Sequence, residues 1–144
     1  MNALESANIE YATCGGLAMA IHGFARATLD IDVLLLSEDL ARAWRVANGL
    51  GYDVEGLPLH FNDGTIEIRR ISKIDEETQT LFTIDFLLVT EPLRDVWADR
   101  QLVEWEGGHA WVVSRDGLIR LKTISGRDID LVDIRRLREA GNEN

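Results

Sequence analysis

Two stretches of this chain are almost continuously apolar, Ile31 to Leu36 and Leu81 to Val89, and each carries an aspartate inside it. Runs of that length, rich in Val, Ile and Leu, read as buried strands. Around them the pattern predicts a helix over 2–8, a strand over 10–14, a helix over 16–24, a strand over 31–36, a helix over 38–50 and a strand over 52–55. In the third helix Leu40, Ala43, Trp44, Ala47 and Leu50 recur at helical spacing, Ser37 is the expected cap, and Gly49 and Gly51 mark its end. Trp44 is therefore expected in the core. Two β runs, 65–74 and 80–89, flank the acidic Asp75-Glu76-Glu77-Thr78 and predict a hairpin. Pro92 is expected to open a short helix reaching about Arg100. A second hairpin follows, 102–105 with 110–113, turning at Gly107-Gly108, and two helices over 115–125 and 128–140 finish the chain. No linker, repeat or low-complexity segment divides it, so residues 1–144 are expected to form a single domain. The order of elements predicts an α+β (mixed α/β) fold, with a central mixed sheet flanked by helices and a C-terminal helix pair.

The polar residues inside the strands carry the chemistry. Strand side chains alternate, so Asp30 and Asp32 share one face while Ile31 and Val33 take the other. Two carboxylates ~4 Å apart, at an effective dielectric of ~20, repel by on the order of 4 kcal/mol. A divalent cation removes that cost and makes the pair a hard-oxygen site of the Mg²⁺ type. The competing reading has both carboxylates at the strand end in water. Asp85, in the middle of the second run, needs a partner or a ligand. If its strand lies beside Asp30 and Asp32, the three converge into a triad suited to metal-assisted phosphoryl or nucleotidyl transfer; a buried Asp satisfied by backbone N–H groups or by an Arg is the alternative. Upstream, Gly15-Gly16 sits between a strand and a small-residue helix, either a plain tight turn or a phosphate seat at a helix N-terminus. Arg26, in Phe24-Ala25-Arg26-Ala27-Thr28, stands between that helix and the aspartates. Of Arg69 and Arg70 on the first hairpin strand, one is expected to face the site and the other solvent.

Composition narrows the field. Hydrophobic residues make up 46% and charged residues 28% of 144 residues, and the formal net charge is −10. That balance disfavours non-specific binding to DNA or RNA. The single cysteine, Cys14, has no partner for an internal disulfide and reads as a small buried residue. The three histidines lie in three separate elements and form no metal cluster. The polar, acidic start lacks a signal-peptide pattern, and no apolar stretch reaches the ~18 residues of a membrane span, so a cytoplasmic protein without membrane contact is expected.

Gly15-Gly16, Asp30-x-Asp32 and a later strand bearing Asp85 together resemble the nucleotidyltransferase superfamily with the DNA polymerase β-like core. The stretch Gly15 to Leu35 is similar to small bacterial nucleotidyltransferases related to abortive-infection toxins and to the minimal nucleotidyltransferases. The tail, Leu118 to Ile134, is similar to a C-terminal signature of that group: a helix with Lys122, a Gly126-Arg127 turn, then Asp130-Leu131-Val132-Asp133-Ile134. It departs in having Ile129 where the group usually has a Lys, and only Asn2 to Ile9 precede the first strand where relatives usually carry a longer helix. The resemblance implies transfer of a nucleoside monophosphate from an NTP, with Mg²⁺ (or Mn²⁺) held by Asp30, Asp32 and Asp85. It assigns nucleotide binding to Gly15, Gly16, Arg26, Thr28, Lys122 and Arg127. The acceptor is open between a protein, a tRNA end and a small molecule; a toxin–antitoxin role with an antitoxin partner is one option. The alternative is a catalytically inactive module of the same fold that binds a nucleotide or a protein.

Overall fold

The computed structural model describes residues 2–23, 30–61, 63–126 and 128–142. The elements are α1 (Asn2–Ser6), β1 (Ala12–Cys14), α2 (Gly15–Ile21), β2 (Asp30–Leu35), α3 (Leu40–Gly49), β3 (Val54–Glu55), β4 (Leu59–Phe61), β5 (Ile66–Asp75), β6 (Thr80–Leu88), α4 (Arg94–Ala98), β7 (Gln101–Trp105), β8 (Gly108–Val112), α5 (Arg115–Ser125) and α6 (Asp128–Asn142). Short 3₁₀ turns, Ser37–Asp39 and Glu91–Leu93, lead into α3 and α4.

Among the described residues, the eight strands belong to one mixed sheet ordered β3-β5-β6-β2-β1-β8-β7, with β4 also pairing β5. The long β5–β6 hairpin is antiparallel, while β2 runs parallel to β6 and antiparallel to β1. This is the mixed sheet with flanking helices that the sequence predicts. Strand alternation gives each face its own core. On one, Val33, Leu35, Ile71, Ile84, Phe86 and Leu88 pack against Leu4 of α1 and Ala43 and Ala47 of α3. On the other, Ala12, Leu34 and Val112 meet Ala18 and Met19 of α2, Val96 of α4, Leu118 of α5 and Leu137 of α6.

Several local expectations shift. Ser37 opens a 3₁₀ turn and makes no capping bond to α3; the side chain of Asp39 instead accepts from Arg42 at 3.2 Å. Trp44 is only partly buried: it packs on Phe86 and donates its indole N–H to Glu55 at 3.0 Å. The buried positions of α3 are Ala43 and Ala47, and the large amphipathic ring takes its place at the edge of the core. β4 has no counterpart in the sequence reading, because three residues beside Pro58 carry too little alternation to register. The second hairpin turns one residue earlier than expected, since Gly108 already belongs to β8. The C-terminal helix pair is present, and its first member is well capped. Ser114 accepts from the Gly117 N–H at 3.0 Å and donates to Asp99 at 2.6 Å. At the other end Gly126, left-handed at φ 67°, donates its N–H to the Lys122 carbonyl at 2.8 Å.

Candidate active site

Pairing register assembles the site. Asp32 of β2 is opposite Asp85 of β6, which is opposite Arg70 of β5; Cys14 of β1 extends the same row beyond Asp32. Residues paired in register point to one side of a sheet, so these four side chains share a face. The adjoining row toward the start of β2 holds Asp30, Thr83 and Ser72, with the two hydroxyls hydrogen-bonded at 2.9 Å. The adjoining row on the other side is apolar: Ala12, Leu34, Leu87 and Ile68. The carboxylates therefore stand where the core gives way to a cleft of about 500 Å³. Asp30, Asp32, Asp85, Arg70, Lys122 and Asp130 supply its polar lining. Leu59 and Phe61 of β4 and Ile66 and Ile68 of β5 add an apolar part to its lining.

Asp85 is only 7% exposed and has a specific partner. Arg70 donates to it through both arms of its guanidinium, Nε to Oδ1 at 2.7 Å and Nη2 to Oδ2 at 2.9 Å. Such a planar fork on a carboxylate is among the stronger polar contacts in proteins. The hydrogen bond to Asp85 raises the Arg70 pKa above its ordinary value; partial burial opposes it, and the charges of Asp85, Asp30 and Asp32 add to it. Of the two adjacent arginines, Arg70 is thus the one at the site, while Arg69 donates to the Ile68 carbonyl. Sequence alone carried only the alternation between the two.

Gly15 lines the cleft and makes room for an aspartate. Its backbone is left-handed, φ 68°, and a Cβ there would fall 2.1 Å from Asp32 Oδ2. Only glycine combines that backbone with that space. Gly16 is the second residue of α2. Cys14 is buried, and burial, followed by the negative charge of Asp32, pushes its thiol pKa well above the ordinary value. It packs as the small buried residue that the sequence predicts. His22 closes α2 with its Nε2 2.9 Å from the Val113 carbonyl.

Lys122 reaches the cleft from α5, but two buried carboxylates hold its ammonium: Asp133 at 3.0 Å and Asp130 at 3.5 Å. The three side chains are 11%, 4% and 2% exposed, in the order Lys122, Asp133, Asp130. The Asp130/Asp133 spacing puts both on one face of α6, which is the physical content of the tail signature. Arg26, Thr28 and Arg127 lie outside the described residues.

The donor chemistry of Asp30 and Asp32, hard oxygens on one strand face, suits a divalent cation. Asp85, the third carboxylate expected there, accepts one hydrogen bond from Arg70 on each of its oxygens. Among the described residues no group of three or more His, Cys, Asp or Glu side chains is arranged to hold a metal ion.

No protein-family model matches the chain, and no curated protein sequence matches it. Solved structures do. A Thermotoga maritima protein provisionally assigned as a nucleotidyltransferase superimposes with a TM-score of 0.60 at 16% identity, over 99% of this chain and 88% of its own. The lincosamide antibiotic adenylyltransferase LnuA, with lincomycin bound, gives 0.58 at 15% identity, over 95% of this chain and 90% of its own. The antibiotic-resistance factor ANT(2'')-Ia gives 0.58 at 15% identity, over 94% and 76%. Identities this low speak for the backbone arrangement alone, and over the described residues that arrangement is the fold shared by these nucleotidyltransferase structures.

Proposed function

We propose that this chain transfers a nucleoside monophosphate from a nucleoside triphosphate to an acceptor hydroxyl. The observation that carries the reading is the meeting of Asp30, Asp32 and Asp85 at one corner of the cleft, in a nucleotidyltransferase fold. Asp30 and Asp32 bring two hard-oxygen donors to the face on which Asp85 is paired with Arg70, a donor set that suits a divalent cation. Asp30 and Asp32 would hold Mg²⁺ or Mn²⁺, which when bound neutralises and orients the triphosphate. Asp85, oriented by Arg70, receives the proton of the acceptor hydroxyl. The acceptor oxygen forms its bond to the α-phosphorus while the bond to pyrophosphate breaks, and pyrophosphate leaves with the electron pair. Gly15 and Gly16 border the phosphates, and Arg70 and Lys122 bring positive charge to the cleft; Arg26, Thr28 and Arg127 keep the binding roles that the resemblance assigns them.

The acceptor is a small molecule, a protein side chain or an RNA end. The net charge of −10 favours a cationic small molecule or a protein over a polynucleotide, and the antibiotic acted on by a protein of the same fold makes hydroxylated antibiotics the first panel to try. A toxin's role, with an antitoxin partner, would point instead to the protein or RNA pool. Among the described residues no helix is long and apolar enough to cross a membrane.

The test is incubation with α-labelled NTP, Mg²⁺ and three acceptor pools: antibiotics, total RNA and cell-extract protein. Label should pass to one pool and stop with Asp85→Ala, while NTP binding by that variant stays within a few-fold of wild type. NTP binding with no transfer to any pool would establish the inactive binding module in its place.

A further inference from the structure

Arg70 occupies a place at Asp85 that a two-cation mechanism would give to a metal. We propose that Arg70 is a positioning residue that stands in for a second divalent cation at Asp85, so that the chain takes up one such cation, on Asp30 and Asp32. The inference rests on the reading of this cleft as a metal-dependent transferase site.

The register supplies the first support. Arg70 is the residue opposite Asp85 on the neighbouring strand, so its side chain starts one strand spacing away, about 5 Å, on the same face. From there the guanidinium reaches both carboxylate oxygens, at 2.7 and 2.9 Å. Its planar fork fixes the carboxylate's orientation, as two-point coordination to a metal would. Charge supplies the second. A second cation shared by Asp32 and Asp85 would lie near a guanidinium that does not deprotonate, and the repulsion between them weakens its binding. Exposure supplies the third. Two of the guanidinium's five donors account for the Asp85 contacts, and the side chain is 46% exposed at the cleft. It therefore has donors to offer a phosphate oxygen while it holds Asp85. Arg70 thus does both things a second cation would do there: it orients the carboxylate and presents positive charge to an incoming anion.

The experiment is titration of the full chain with Mn²⁺ alone, with the free ion read by electron paramagnetic resonance, on wild type, Arg70→Gln and Arg70→Lys. Wild type should bind one Mn²⁺ per chain, Arg70→Gln two, and Arg70→Lys one, since Lys restores the charge without the fork. Two ions on wild type, or one on Arg70→Gln, overturn the proposal while leaving the transferase reading intact. The wild-type count decides even if a variant fails to fold. Absence of any Mn²⁺ binding to wild type overturns the metal-dependent reading and this inference with it.

Discussion

At the scale of single residues, Gly15 shows how one missing side chain shapes the site. Its left-handed backbone and the 2.1 Å that would separate a Cβ from Asp32 Oδ2 are independent demands on the same position. Gly15→Ala should lose about 1–3 kcal/mol from backbone strain alone. It should also push the Asp32 carboxylate aside, and the two effects are separable. A thermal melt reads the first, and Mn²⁺ affinity, expected to fall at least tenfold, reads the second; unchanged affinity would mean that Asp32 does not hold the ion. Cys14, in the same row, allows a pH test. Its pKa is raised, so the thiol remains protonated through the range where free cysteines ionise. Alkylation of the native protein should therefore stay slow and nearly flat from about pH 7 to 9, and become fast only in denaturant. A rate that climbs steeply across that interval in the native state would show an ionising, accessible thiol.

At the scale of elements, the α5–α6 hairpin is tied to the cleft by an ion cluster. The left-handed Gly126 turns the chain back, and Asp130 and Asp133, one helical turn apart, meet Lys122 from the facing helix. Lys122→Met would remove the ammonium that both buried carboxylates share, and breaking a buried ion cluster in this way typically costs about 3–5 kcal/mol. For a domain of this size that is a fall in melting temperature of about 6 °C or more. Adding Asp133→Asn should recover part of the loss, because the charge left behind does the damage. A double mutant no more stable than Lys122→Met would show that the lysine acts through packing. The same cluster bears on the phosphate role expected of Lys122. Its ammonium is already shared between two carboxylates, so the exposed Arg70 is the freer cation toward a triphosphate.

At the scale of the whole molecule, two apolar layers enclose a sheet whose central strands run from polar to apolar along one face. That gradient, Asp30 to Asp32 to Leu34 on β2 and Thr83 to Asp85 to Leu87 on β6, sets the cleft at the border of the core. The gradient is written in the strands themselves. Alternation is a local property, so Asp30 and Asp32 on one face, the β5–β6 hairpin, the buried Cys14 and the terminal helix pair were all legible before any coordinates. The short β4, the 3₁₀ turn at Ser37 and the marginal place of Trp44 were not, because each depends on what lies across from it. The site divides along the same line. Which residues bear charge, and which way each points from its own strand, follow from sequence by itself. That Arg70 falls opposite Asp85 and Asp85 opposite Asp32, and that Lys122 meets Asp130 and Asp133, follow only from pairing register and helix packing. Each depends on how two elements pair or pack, and a shift of one residue between strands would turn every strand side chain to the other face.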